Sequence, residues 1–458
     1  MKTTHQNTRY GMHAISISTF LMMILITLMS SACDDDTKSS MATGGSVAGE
    51  SMAGESVAGE SVAGESVAGE TGSQELSLGN FEEWQSPIET YINEATAAIG
   101  PEVNQGIHDL FVFNDQLYIG YGDADLNAGG VSPIQIMSFA SLNSQVSISS
   151  LETGEEGIYK YRLIDGELMI AGVDSTDADE LTSRPLIFGN FLRTREGVWE
   201  KHRAIQGGEH VHDVTRFMEG LWAVGSGADN RMEWETYGVY RYLWFSGDGG
   251  VSWRRYKRVF REIAGDTRFV HLLAVGPRLF IFGYLNPRAD DEPIVPKNEM
   301  MQGATGEPTP LITGREEGQT PEQAHPLANI FVTATYPITE ELGVITGFDL
   351  IERSWRAWQV FGDGRVEVIS AWEGSRVVDL SVDQESGSII ALLNDNQEGD
   401  ATTGKIYFGM TLEEIKVLGL IDFIEGSRPK SIARWGDTVM VGMQSGVIAK
   451  ASIIGLPE

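Results

Sequence analysis

One unit recurs along this chain: a short strand, a tight turn, and a second apolar strand ending in glycine. It reads His108-Asp-Leu-Phe-Val-Phe, then Asn-Asp-Gln, then Leu117-Tyr-Ile-Gly120. It returns from Tyr159 to Gly172, from His212 to Gly225 and from Val270 to Gly283. In these four copies the leading residue stands nine before the leucine every time. Looser copies occupy Val378–Leu393 and Lys430–Gly442. Short β-branched and aromatic runs broken by Gly- or Asp-bearing turns are hairpins. A lone hairpin cannot bury its apolar face, so the copies must stack on one another.

Successive copies lie about 50 to 58 residues apart, except for one gap of 108 between Val270 and Val378. Four short strands per unit at that period is the arithmetic of an all-β fold, the β-propeller. The 53 glycines and 15 prolines suit such a turn-rich body. Six copies predict six blades, with seven allowed because the long gap obscures one boundary. Too few residues follow the last copy to complete a blade, so residues 80–106 are expected to close the ring. The proline-rich stretch 286–326 reads as a surface insertion without strands. The body is taken as residues 80–458.

An outer hairpin strand carrying tryptophan recurs at Trp199, Trp253 and Trp355. The middle example is Ser246-Gly-Asp248-Gly-Gly250-Val-Ser252-Trp253. In such a turn aspartate accepts backbone N–H groups and glycine supplies the unusual dihedral. The segment resembles the Asp-box of sialidase-type (BNR-repeat) propellers, a structural motif that implies the fold and leaves the function open.

The amino terminus reads as an address. Lys2 and Arg9 precede an apolar run from Ala14 to Met29, which is followed by Ser30-Ser31-Ala32. This is the layout of an export signal over residues 1–32. The run is shorter than the roughly 20 residues a spanning helix needs. Cys33, the only cysteine, comes next. Ser30-Ser-Ala-Cys33 resembles the lipobox of bacterial lipoproteins, with Ser30 where that family usually carries leucine. The resemblance implies diacylglyceryl attachment at Cys33 and a place in the cell envelope, facing the periplasm or the exterior. From Ser46 to Glu70 the unit Ser-Val/Met-Ala-Gly-Glu repeats five times. Such a sequence buries too little to repay its own ordering. Residues 33–79 therefore read as a disordered tether with an average reach of roughly 35–40 Å.

The chain carries 65 acidic and 33 basic side chains, a formal net charge of −32. Nucleic-acid phosphate and anionic headgroups repel such a surface, so no nucleic-acid partner is expected. A single cysteine excludes an internal disulfide and a Cys-based zinc site. The densest chemistry is Glu209-His210-Val-His212-Asp213, with His210 and His212 on one strand face. Aligned on the repeat, His108 matches His212, while Asp109, Asp213, His271 and Asp379 share the next position. A ring of His and Asp at a channel mouth could bind a cation or a polar ligand. Repetition of the aspartate favours a capping or pairing role within each blade, since a one-off site would break the repeat rather than follow it. Asp123, Asp125 and Asn127 place oxygen ligands at alternate residues, as a Ca²⁺ loop opens, but lack the later Gly and Glu of an EF-hand.

No nucleophile-elbow, phosphate-loop or HExxH pattern occurs. The expected function is that of a lipid-anchored, monomeric, non-catalytic propeller binding a protein or glycan. A sialidase-like glycoside hydrolase working at the channel mouth is the alternative. Arginines converging on a Tyr–Glu pair would favour the latter.

Overall fold

The computed structural model describes residues 76–88, 106–122, 134–173, 186–230, 232–233, 239–259, 265–287, 294–312, 324–395, 403–422 and 427–456. Cys33, the export segment and the glutamate repeats lie outside the described residues, as do Asp123, Asp125 and Asn127.

Seven antiparallel sheets make a seven-bladed β-propeller. Their first strands are Ile107–Phe113, Arg162–Ile164, His210–Phe217, Gly265–Val275, Ile330–Thr339, Ser375–Val382 and Pro429–Trp435, which define blades 1 to 7. Neighbouring first strands contact one another around the centre, and the later strands of each blade step outward. Ser77–Leu78 and Glu82–Gln85 both pair with Ile448–Ile454, so residues near the amino end complete blade 7. The closing strands thus begin at 77, three residues before the expected edge of the body.

The expectation of six blades is corrected to seven. The missed blade sits inside the long gap, where Ile330–Thr339 pairs with Leu342–Asp349. Ala334 occupies the position held by Asp or His in blades 1, 3, 4 and 6. Pro337 and a second bulge between Pro337 and Thr339 further disguise the repeat. The stretch 286–326 is not strand-free either. Val295–Pro296, Glu299–Gln302 and Thr309–Pro310 build the outer part of blade 4. Both strand prolines stand at strand ends, where a missing N–H is tolerated.

The recurrent leucines Leu117, Leu168, Leu221 and Leu279 are all buried between blades. The recurrent glycine has a steric cause. In six blades the first strand carries a β-bulge at one equivalent place, between Ile107/Asp109, Val211/Asp213, Phe269/His271, Val332/Ala334, Val377/Asp379 and Pro429/Ser431. The bulge pushes backbone against the second strand. A Cβ at Gly225 or Gly283 would collide with the carbonyl oxygen of His210 or Arg268.

The turn after Phe245 locks blade 3 to blade 2. Asp248 Oδ1 accepts from Ser252 N at 2.9 Å and from Ser246 Oγ at 2.8 Å, while Ser246 Oγ accepts from Gly250 N at 2.8 Å. These bonds, led by those from Ser252, hold the Asp248 carboxyl down at about 2. Gly249 and Gly250 take φ of +72° and +91°. Trp253 then packs edge-on against Phe191 of blade 2, with ring centroids 5.4 Å apart. Trp199 lies on the outermost strand of blade 2 and Trp355 on the third strand of blade 5.

Candidate functional site

The first strands place three tiers of side chains around the channel. The lowest tier holds the residues that follow the bulge. Asp109 Oδ2 accepts from Tyr161 N of blade 2 at 2.7 Å. Asp213 Oδ2 accepts from Leu272 N of blade 4 at 2.9 Å, and Asp379 Oδ2 from Ile432 N of blade 7 at 2.9 Å. Each aspartate therefore staples its blade to the next one, at an equivalent position. Ser431 does the same with an O–H donor, reaching Ile107 O of blade 1 at 2.8 Å. The repeated aspartate thus pairs between blades, and Asp213 also accepts from Val214 N of its own strand at 2.9 Å.

Two cations from blade 2 cross this tier. Lys160 Nζ lies 3.4 Å from Asp379 and 3.8 Å from Asp109, and 4.5 Å above the Tyr336 ring. Arg162 grips Asp213 through Nε at 2.9 Å and Nη2 at 2.8 Å. Arg162 also donates to Thr335 O and Oγ1, each at 3.1 Å. Burial raises Asp109 to about 6, against the opposing pull of Lys160, and it raises Asp379 as well. The buried Tyr336 hydroxyl is driven well above the usual phenol range by burial and then by Asp379 and Asp109. Towards the mouth where the first strands turn, a cavity of 880 Å³ opens, lined by Asp109, Lys160, Arg162, Tyr336 and Asp379 among others.

The middle tier is the bulge residue itself. His108, His212, Val270, Thr333, Val378 and Lys430 are all partly exposed, each directly after a buried residue. In blade 2 the repeat spacing puts Tyr159 there, and its ring stacks on His108 at 4.4 Å. His108 Nε2 also lies 2.8 Å from Gly122 O. Burial holds His108 near 4, and Lys430 pushes the same way against the Gly122 bond. His271, one residue past its bulge, is likewise held near 4 by burial. His212 is lowered well below its ordinary value by burial, then by Arg268, His210 and His271.

The outermost tier, two residues before the bulge, contains His210, Arg268, Arg376 and Arg428. His210 stacks over His212 with centroids 6.1 Å apart. The Arg376 guanidinium sits 5.0 Å over the Trp355 ring.

The structure thus separates the sequence candidates. Asp109, Asp213 and Asp379 belong to the stapling tier, while His108, His210 and His212 lie nearer the mouth where the first strands begin. Among the described residues no group of three or more His, Cys, Asp or Glu side chains is arranged to hold a metal ion. Sequence reading passed over Lys160, Arg162, Tyr336 and Lys430. Lys160 was legible in principle, since the repeat spacing aligns it with Asp109 and Asp213. Its opposite charge marks the place where the ring of aspartates is neutralised.

Fold and site define a seven-bladed propeller whose channel is crossed by a buried charge network. No family model matches the chain, and no curated protein matches it. Among solved structures it is similar to a virginiamycin B lyase of Staphylococcus aureus, at 11% identity and a TM-score of 0.40, over 83% of this chain and 100% of that one. It is similar to an α-L-arabinanase of Penicillium chrysogenum at 12% identity and 0.39, over 68% and 95%. A Trypanosoma rangeli sialidase matches at 12% identity and 0.37, over 68% and 57%.

Proposed function

We propose that this is a lipid-anchored, non-catalytic propeller of the cell envelope that binds a protein or glycan partner through one channel mouth. One observation carries the reading: the central carboxylates are already in use. Asp109, Asp213 and Asp379 each accept a backbone N–H from the next blade, and Lys160 and Arg162 neutralise them. A buried carboxylate held this way is poorly placed to shuttle protons or attack a substrate. The Ser246–Trp253 turn supports kinship with Asp-box propellers, and Cys33 after Ser-Ser-Ala supports the lipid anchor. The test is a glycan array probed with the full chain in detergent, alongside fluorogenic glycosides including a sialoside. Array binding without turnover supports the reading, and turnover abolished by Asp109→Asn overturns it.

One observation favours the hydrolase alternative. Asp109, raised to about 6, and Asp379 both border the 880 Å³ cavity, and a raised carboxyl is the form a general acid requires. The same fluorogenic panel decides between the two.

A further inference from the structure

The mouth where the first strands begin carries charge of the wrong sign for this protein. The chain as a whole is −32, yet the two upper tiers bring together the cations Lys430, Arg268, Arg376 and Arg428, with the neutral rings of His108 and His212 beside them. Equivalent register on neighbouring strands puts them at one end of one channel. Lys430 is near enough to Arg376 and Arg428 for their charges to oppose its own. Together with burial, which dominates, they lower it to about 8. Arg268 and His212 stand in the same relation across blades 3 and 4.

Two acids at this end of the blades are engaged by their own neighbours. Asp229 is held by Arg255 at 2.8 Å and Arg258 at 3.3 Å, and Glu155 Oε1 accepts from Asn190 at 2.6 Å. Among the described residues Lys430 makes no hydrogen bond or ion pair, and His212 Nε2 is buried without a hydrogen-bond partner. Like charges gathered in a partly buried mouth repel one another and cost stability. Low-dielectric walls also focus their field into the opening. Such an arrangement suits a counter-ion that arrives with the ligand, and it opposes the cation suggested by the histidines alone.

We infer that this mouth is an oxyanion-binding site, in which Lys430, His108, Arg268 and His212 receive a carboxylate, sulfate or phosphate group of the ligand. The inference rests on the binding role proposed above and names the chemistry of its partner. Arginine offers a fork to two oxygens, lysine a point charge, and histidine a ring N–H donor when its proton faces the anion. A neutral glycan would leave the charges of Lys430 and Arg268 unmatched, so an acidic glycan or another anionic small molecule is the ligand class.

The experiment is calorimetric titration of the full chain in detergent with sodium sulfate, sodium phosphate and glucuronate in separate arms, with glucose and Ca²⁺ as controls. Saturable binding of at least one anion is expected, with none for glucose or Ca²⁺. Lys430→Met and Arg268→Gln should each weaken that binding about tenfold or more while melting at or above the wild-type temperature, because each removes a repelled charge. Glucuronate alone binding assigns a carboxylated sugar, and sulfate or phosphate alone binding assigns a tetrahedral anion. No saturable binding in any anion arm, or binding unchanged in both variants, overturns the proposal. Turnover of a glucuronide would leave the charge assignment standing and instead overturn the non-catalytic role.

Discussion

Lys160 Nζ and Asp379 Oδ1 stand 3.4 Å apart although they belong to blades 2 and 6, which are not neighbours in the ring. The pair reaches across the channel, and the Arg162–Thr335 bonds do the same from blade 2 to blade 5. A ring of stacked blades depends on every junction, so contacts that skip blades brace the centre against opening. The charges in them are buried, and for that reason unequal removal is costly.

Asp213 tests this first. Asp213→Ala leaves Arg162 without its two-pronged partner and Leu272 N–H without an acceptor. The expected loss is about 3–5 kcal/mol in urea unfolding. Asp213→Asn keeps an acceptor for Leu272 and should lose less. A loss under about 1 kcal/mol in the alanine variant would show that the network braces nothing.

The histidines set the response to acid. An unfolded histidine titrates near about 6.5, whereas His108 and His271 are held near 4 and His212 is also lowered. Between those values the unfolded chain binds more protons, so stability falls as pH drops from about 6.5 towards 4. Asp109 acts oppositely: with a folded value of about 6 it adds stability as pH falls from 6 towards 4, and Asp379 shares that sign. Three histidines should outweigh two carboxylates. Melting temperature between pH 7 and 4.5 should therefore decline, and less steeply in His271→Gln; identical slopes would remove the histidines from the account.

The bulge predicts a steric effect at Gly283. Gly283→Ala drives a methyl into the Arg268 carbonyl and should cost about 1–3 kcal/mol. Gly79, whose Cβ would meet only an ordinary contact of 3.5 Å, serves as the control. Equal effects of the two substitutions would mean that the close approach in blade 4 relaxes freely.

The lipid anchor is tested in cells. Cys33→Ala should move the protein from the membrane to the soluble fraction, because without acyl chains an apolar run this short and so acidic a body have little hold on a bilayer. Retention of the variant in membranes would refute lipidation at Cys33.

The propeller was legible because its period is written in apolar spacing: Leu117, Leu168, Leu221 and Leu279 fill equivalent interblade positions. Blade 5 was not, since Ala334 and Pro337 break the pattern while backbone pairing preserves the blade. The His and Asp positions were visible, but their separation into tiers was not. A bulge interrupts strict alternation, and side-chain periodicity carries no trace of it. Cross-channel partners such as Lys160 and Asp379 are 219 residues apart in sequence, so only closure of the ring reveals them. The cationic mouth was hidden for the same reason. Arg268, Arg376 and Lys430 look like scattered surface charges until equivalent strands bring them to one opening.

The central claim is that the channel centre holds the fold and the cationic mouth holds the ligand. The variant Asp109→Asn/Lys160→Met/Asp379→Asn tests it most directly, because it neutralises the centre while keeping acceptors for Tyr161 N and Ile432 N. Its affinity for the anion bound by the wild type should be measured by the same calorimetry, next to its melting temperature. The account predicts a folded protein with affinity unchanged within about twofold. A variant that folds as the wild type does but no longer binds the anion would contradict it, and would return the central carboxylates to the functional site.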